Sequence, residues 1–183
     1  MLLGLNPDEV RLADHSPGWK TEFQKVRKDL LKNTNIPDSH IAHIGSTAIT
    51  DIPAKPIIDV MLAVEDLAAI DKQLISGLRA AGFLQLKVKR AGEMVFARFA
   101  DVDYKIKTHF LHLVEYEGEL WKNLLFFRDY LNENEDARKE YVQLKLDYIK
   151  KTSTGIKAYT EYKESFVKRI AELRETEEKY GEC

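Results

Sequence analysis

Residues 41–64, IAHIGSTAITDIPAKPIIDVMLAV, decide how the rest of the chain is read. A short apolar run, 41–44, stops at Gly45-Ser46, and a turn-rich segment holding Thr47, Asp51, Pro53 and Pro56 follows. A second apolar run, 57–64, then carries one carboxylate, Asp59. Two strand-like runs separated by small and turn-forming residues put Ser46 and Asp59 at the same end of a sheet. A carboxylate within a β-branched run is costly to bury, so Asp59 is expected to be paired, metal-bound or held at the strand's exposed end.

On the N-terminal side, residues 1–18 are turn-prone. Trp19, Phe23, Val26, Leu30 and Leu31 then recur at helical spacing and predict an amphipathic helix over 17–32, with Pro37 as the breaker beyond it. On the other side, 65–81 reads as a helix with Leu67, Ile70, Leu74 and Leu78 toward the core and Gly82 as its stop. Residues 83–88, 94–99 and 106–114 read as strands, with hairpin-like turn chemistry at 87–93 and 100–105.

From Glu119 onward the pattern is helical. Leu120, Leu124, Phe127 and Leu131 mark one helix, and Ala137, Tyr141, Leu144, Leu146 and Tyr148 a second. Tyr159, Tyr162, Phe166, Ile170 and Leu173 mark a third, after a loop at 152–155 and before a charged tail at 172–182. The fold class is therefore α+β, a partly antiparallel sheet flanked by helices. One domain is expected over 1–183, with an α/β core at about 1–116 and C-terminal helices over 117–183.

Composition narrows the functional classes. A formal net charge of -2 gives no global pull toward nucleic acid, so a nucleic-acid partner is not expected. The single cysteine, Cys183, excludes an internal disulfide framework and a cysteine-rich zinc site; it reads as a terminal thiol in a reducing cytoplasm. No apolar run reaches the length of a membrane span, and the N-terminus lacks a signal-peptide layout. Nothing in the sequence sets the oligomeric state.

The chemistry-bearing candidates cluster around the opening stretch. A Gly-Ser turn after a strand presents backbone N–H groups and a hydroxyl where phosphate oxygens can approach, and an opposing carboxylate is what Mg²⁺ on a nucleotide needs. Against this, Gly-Ser turns often serve conformation alone, and Asp59 could merely cap a backbone N–H. Lys55 could meet a phosphate, pair with Asp59 or lie exposed. His43 precedes Gly45 by two residues. His109 and His112 fall on opposite faces of one regular strand, so only one of them can join Asp59, and Glu115 could add a further acid. Arg128 could hold a phosphate bidentately or pair with Asp129, while Tyr159 and Lys163 lie one helical turn apart and could face one cleft. Walker, GxSxG, HExxH and dinucleotide motifs are missing, and Ser46 has no triad around it.

His43-Ile44-Gly45-Ser46-Thr47-Ala48 and Ala54-Lys55-Pro56-Ile57-Ile58-Asp59-Val60 closely resemble the signature of the GrpB family. The resemblance extends through Thr108-His109-Phe110-Leu111-His112-Leu113, Phe127-Arg128-Asp129-Tyr130-Leu131, and Tyr159 to Lys163 with Phe166. It implies the nucleotidyltransferase fold, in which a strand, a Gly-Ser turn and helix precede a strand with two acids separated by one apolar residue. Asp59 matches the first acid; the second position holds Met61.

The resemblance implies transfer of a nucleotidyl group from an NTP to a small acceptor. Gly45, Ser46 and Thr47 would hold the triphosphate, Asp59 and His112 would ligate Mg²⁺, and Lys55, Arg128 and Lys163 would neutralise phosphate charge. His43, His109, Glu115 and Tyr159 are further candidates. The alternatives are a degenerate module that binds a nucleotide or another phosphorylated small molecule, which Met61 favours, and an interaction scaffold.

Overall fold

Strands β1 (Ile41–Ile44) and β2 (Ile58–Val64) lie side by side and antiparallel, with Ile44 opposite Asp59, in the computed structural model of the chain. It describes residues 2–88, 90–152 and 154–180. Cys183 and positions 181–182 of the charged tail lie outside the described residues, as do position 89 of the predicted turn at 87–93 and position 153 of the predicted loop at 152–155.

Three further strands complete a five-stranded mixed sheet: β3 (Leu84–Gln85), β4 (Glu93–Phe99) and β5 (Lys107–Glu115), in the order β1-β2-β5-β4-β3. The β2–β5 pair is parallel, and β1–β2, β3–β4 and β4–β5 are antiparallel. This is the mixed sheet expected from the sequence, flanked by helices α1 (Gly18–Asn33), α2 (Lys72–Ala80), α3 (Glu119–Glu133), α4 (Glu135–Lys151), α5 (Ile156–Tyr162) and α6 (Glu164–Tyr180).

The two faces of the sheet bury different things. Ile58, Val60 and Leu62 of β2, with Leu111 and Leu113 of β5, pack on Trp19, Phe23, Val26 and Leu30 of α1. Burying each side chain of that size contributes about 1.5–3 kcal/mol, which fixes α1 against the sheet. On the opposite face Ile44, Met61, Ala63 and Val114 meet Trp121 of α3. Met61 is thus a core side chain.

The connection between β1 and β2 forms its own cluster, Ile49 and Ile52 against Leu131, Tyr141, Phe166 and Ile170, and so seats the C-terminal helices on the sheet end. The N-terminal segment straps the same connection. Ala13 and Ala54 exchange backbone hydrogen bonds of 2.8 and 2.9 Å, and the Gly4 N–H donates to the Pro56 carbonyl at 2.8 Å.

Three expected elements are shorter or broken. The helix predicted over 65–81 is a 3-10 turn at Leu67–Ala69 followed by α2, because Asp66 and Asp71 each cap a new start, accepting from the N–H groups of Ala68 and Leu74 at 2.7 Å. The strand predicted over 83–88 shortens to Leu84–Gln85, with the Leu86 N–H still donating to the Val95 carbonyl at 2.8 Å. The third C-terminal helix breaks between Tyr162 and Glu164 into α5 and α6. Asp71→Ala removes one cap and lowers the stability by about 1 kcal/mol in urea unfolding; an unchanged midpoint would mean that packing alone starts α2. Among the described residues, no helix is long and apolar enough to cross a membrane.

Candidate functional site

Gly45 brings the turn and the carboxylate together. Its backbone sits at φ 69° and ψ -172°, a region essentially restricted to glycine, and a Cβ there would run into the Asp59 carboxylate. Ser46 to Ala48 then make a short 3-10 turn. Ser46 Oγ lies 3.1 Å from the hydroxyl of Tyr141 on α4, and Thr47 Oγ1 lies 3.0 Å from His43 Nε2. The turn is braced on both sides.

Asp59 faces into this corner with its side chain 30 % exposed. Register puts Met61 beside His112 on the parallel neighbour, so Asp59 and His112 project from one face of the sheet. His112 Nδ1 donates to Glu93 Oε2 at 2.6 Å, and Nε2 lies 3.8 Å from Asp59 Oδ1. Burial alone would lower the His112 pKa. The nearby Asp59 carboxylate and the hydrogen-bonded Glu93 overcome that and raise it to about 9. Burial likewise opposes ionisation of Glu93, yet His112 and Arg90 hold its carboxyl below the usual range. The three groups form a carboxylate–imidazolium–carboxylate row.

Lysines gather on the helical side. Lys163, at the α5–α6 joint, has Nζ 4.3 Å from the ring centre of Tyr159 and 6.0 Å from that of Tyr141. Lys55 lies 5.3 Å from the Tyr159 ring. Lys145 of α4 is fully enclosed, 4.5 Å from the Tyr141 ring, and donates to the Pro53 carbonyl at 2.5 Å. Burial lowers Lys163 to about 8, partly offset by Asp59. Burial and the charge of Lys163 lower Lys55 to about 8, again against Asp59, and lower Lys145 to about 7. Burial raises both tyrosines, Tyr141 to about 12, so their hydroxyls stay protonated.

Other candidates sit elsewhere. Arg128 forks onto Asp129 at 2.7 and 2.9 Å and donates to the His43 carbonyl at 3.0 Å, bracing β1. His43 stacks on Phe23, ring centres 4.8 Å apart, and burial lowers its pKa to about 4. With Lys20, Thr47, Arg128 and Asn132 it lines a separate cleft of about 640 Å³. His109 faces α1, with Nδ1 2.9 Å from Thr108 Oγ1 and Nε2 3.8 Å from Glu22, and burial lowers it to about 4. Glu115 pairs in register with Val64 whereas Phe110 pairs with Asp59, so it stands at the far end of β5, roughly 16 Å along the strand. It takes no part in this corner.

These residues do not fit a two-ion Mg²⁺ centre. Among the described residues there is no group of three His, Cys, Asp or Glu side chains placed to hold a metal ion. The second acidic position is a core methionine, and His112 already commits its Nδ1 to Glu93.

Sequence reasoning missed Tyr141, Lys145 and Glu93 as members of the site. Lys145 did leave a signal: it interrupts the buried stripe of Tyr141 and Tyr148 on α4.

Fold and corner together define a mixed α+β protein whose sheet end joins a partly exposed carboxylate to a set of half-buried and buried lysines. The family model described as GrpB protein matches residues 9–173, and the chain belongs to the GrpB family. It is 41 % identical over 170 residues to the glutamate-rich protein GrpB of Alkalihalophilus pseudofirmus, covering 92 % of this chain and 98 % of that one. The crystal structure of the conserved protein GrpB from Enterococcus faecalis aligns with a TM-score of 0.71 at 24 % identity, over 89 % of this chain and 96 % of that one, and has the same fold. A weaker likeness, TM-score 0.48 at 13 % identity over 70 % of this chain and 42 % of the other, is to the Cid1 poly(U) polymerase bound to MgATP.

Proposed function

We propose that this protein binds a nucleoside triphosphate, taking its phosphate chain where Gly45, Ser46 and Asp59 meet the C-terminal helices. The observation that carries this reading is the convergence of Lys55 and Lys163 on the Tyr159 ring beside that turn. The turn adds backbone N–H groups and the Ser46 hydroxyl, which can leave Tyr141 for a phosphate oxygen. The family resemblance favours a nucleotide over other phosphorylated small molecules, and a cytoplasmic location suits such a ligand.

A second reading, transfer of the nucleotidyl group to a small acceptor, is favoured by Asp59. A partly exposed carboxylate beside the phosphate chain can take the proton of an attacking hydroxyl while lysines hold the charge of the departing pyrophosphate. Met61 in the core favours binding without turnover. The scaffold reading has little behind it, since exposed Leu146, Tyr162 and Val167 are single residues on three different helices.

Calorimetry with the four common NTPs, with and without Mg²⁺, tests the first reading: at least one binds, and silence from all four contradicts it. Pyrophosphate release tests the second. Under transfer, Asp59→Asn keeps nucleotide binding and loses release; a wild type that binds but never releases pyrophosphate leaves binding alone.

A further inference from the structure

We propose that Lys55, Lys145 and Lys163 form a cation pocket that binds the ligand's phosphate chain without a metal ion, supplying the charge that paired carboxylates and their metals would otherwise bring. The proposal rests on the nucleotide-binding reading above and specifies how that site handles charge.

Geometry is the first support. Lys163 Nζ lies 4.3 Å from the ring centre of Tyr159 and 6.0 Å from that of Tyr141, with Lys55 5.3 Å from the first ring and Lys145 4.5 Å from the second. The three lysines come from three separate parts of the chain: the turn before β2, the middle of α4 and the α5–α6 joint. Convergence from such distant positions is not the product of one helix surface.

Their partners are the second support. Lys25, Lys105, Lys139, Lys150, Lys157 and Lys168 each pair with a carboxylate, mostly on open surface. Among the described residues, Lys55, Lys145 and Lys163 form no such ion pair although they are drawn out of water, whereas Lys28, Lys72 and Lys122, which also form none, are exposed. Taking an ammonium out of water without a counter-ion is costly, and three together cost more through mutual repulsion. Among the described residues, the carboxylate whose charge reaches Lys55 and Lys163 is Asp59, and Asp59 is shared with His112. The corner therefore carries surplus positive charge that an arriving polyphosphate would neutralise.

The lysines differ in task. Lys55 and Lys163 are half-buried and can swing to a phosphate oxygen. Lys145 is enclosed and tied to the Pro53 carbonyl, so it acts as a positioning residue, holding the connection that carries Lys55. The Met61 position, which removes a metal-binding acid, then makes sense beside a lysine set that needs none.

The test is calorimetric titration of the full chain with inorganic tripolyphosphate, at fixed ionic strength, in EDTA and separately in Mg²⁺. Binding in EDTA is expected, with Lys55→Gln and Lys163→Gln each weakening it about tenfold, the worth of one charge-assisted hydrogen bond. Lys168→Gln, which breaks only a surface pair with Glu164, leaves it unchanged. Thermal melting of each variant separates lost binding from lost folding, and the half-buried pair keeps the comparison sound even where Lys145→Met unfolds. Binding seen in Mg²⁺ but not in EDTA overturns the proposal and keeps the nucleotide site. Binding in EDTA that ignores both Lys55→Gln and Lys163→Gln overturns it equally. No binding of tripolyphosphate or of any NTP in either condition removes the site itself.

Discussion

Gly45→Ala lowers the folding free energy by about 3 kcal/mol and abolishes nucleotide binding. Two costs add. A side chain at φ 69° and ψ -172° is strained in a region that non-glycine residues essentially avoid, worth about 1–3 kcal/mol. The new Cβ also meets the Asp59 carboxylate, so either the turn lifts off β2 or the carboxylate swings away from His112. Gly92→Ala is the matched control: its φ is 74°, but a Cβ there meets nothing nearer than Leu120 at 4.0 Å, so only about 1 kcal/mol is lost. Urea unfolding of both variants measures the difference. Equal losses would mean that the close approach of turn and carboxylate is unimportant.

His112→Leu has the second large effect, a loss of about 3 kcal/mol at neutral pH, because it leaves the Glu93 carboxylate, only 8 % exposed, with Arg90 as its remaining partner. The pH dependence follows from the raised imidazole pKa. In the folded state His112 titrates at about 9 against an ordinary 6.5, so its stabilisation is fully present below pH 6.5 and is lost as pH rises toward 9. The buried lysines, whose pKa values are lowered, contribute the opposite slope above pH 7, so the comparison that matters is wild type against His112→Leu. The gap between them shrinks by roughly 3 kcal/mol from pH 6.5 to 9, a tenfold difference in proton affinity being worth about 1.4 kcal/mol. Parallel profiles would show that His112 is neutral in the folded protein and free to ligate.

Much of this was legible locally. Gly45-Ser46 and Asp59 could be placed at one sheet end because β-strand periodicity and turn residues are short-range signals, and alternation alone put His109 and His112 on opposite faces. What stayed hidden depends on distant pairing. Ser46 meets Tyr141 across 95 positions and Lys145 meets Pro53 across 92, contacts that no window of sequence contains. Glu93 read as part of a turn, yet it opens β4 and bonds His112 on the neighbouring strand. Arg128 offered a phosphate or Asp129 as its partner; the structure shows the Asp129 pair and adds the His43 carbonyl, 85 positions away, which no local window contains. The break of 65–81 was missed because its apolar spacing survives the interruption, while the caps that cause it, Asp66 and Asp71, look like ordinary surface acids.

The claim that the Gly45–Asp59 corner is the phosphate site is tested most directly by a crystal structure grown with a non-hydrolysable NTP in EDTA. The account predicts the phosphate chain against the Gly45-Ser46 turn, with Lys55 and Lys163 on its oxygens and the Ser46–Tyr141 contact opened. Phosphates lodged instead in the cleft of His43, Thr47, Arg128 and Asn132, with the lysines still on their tyrosines, would contradict it.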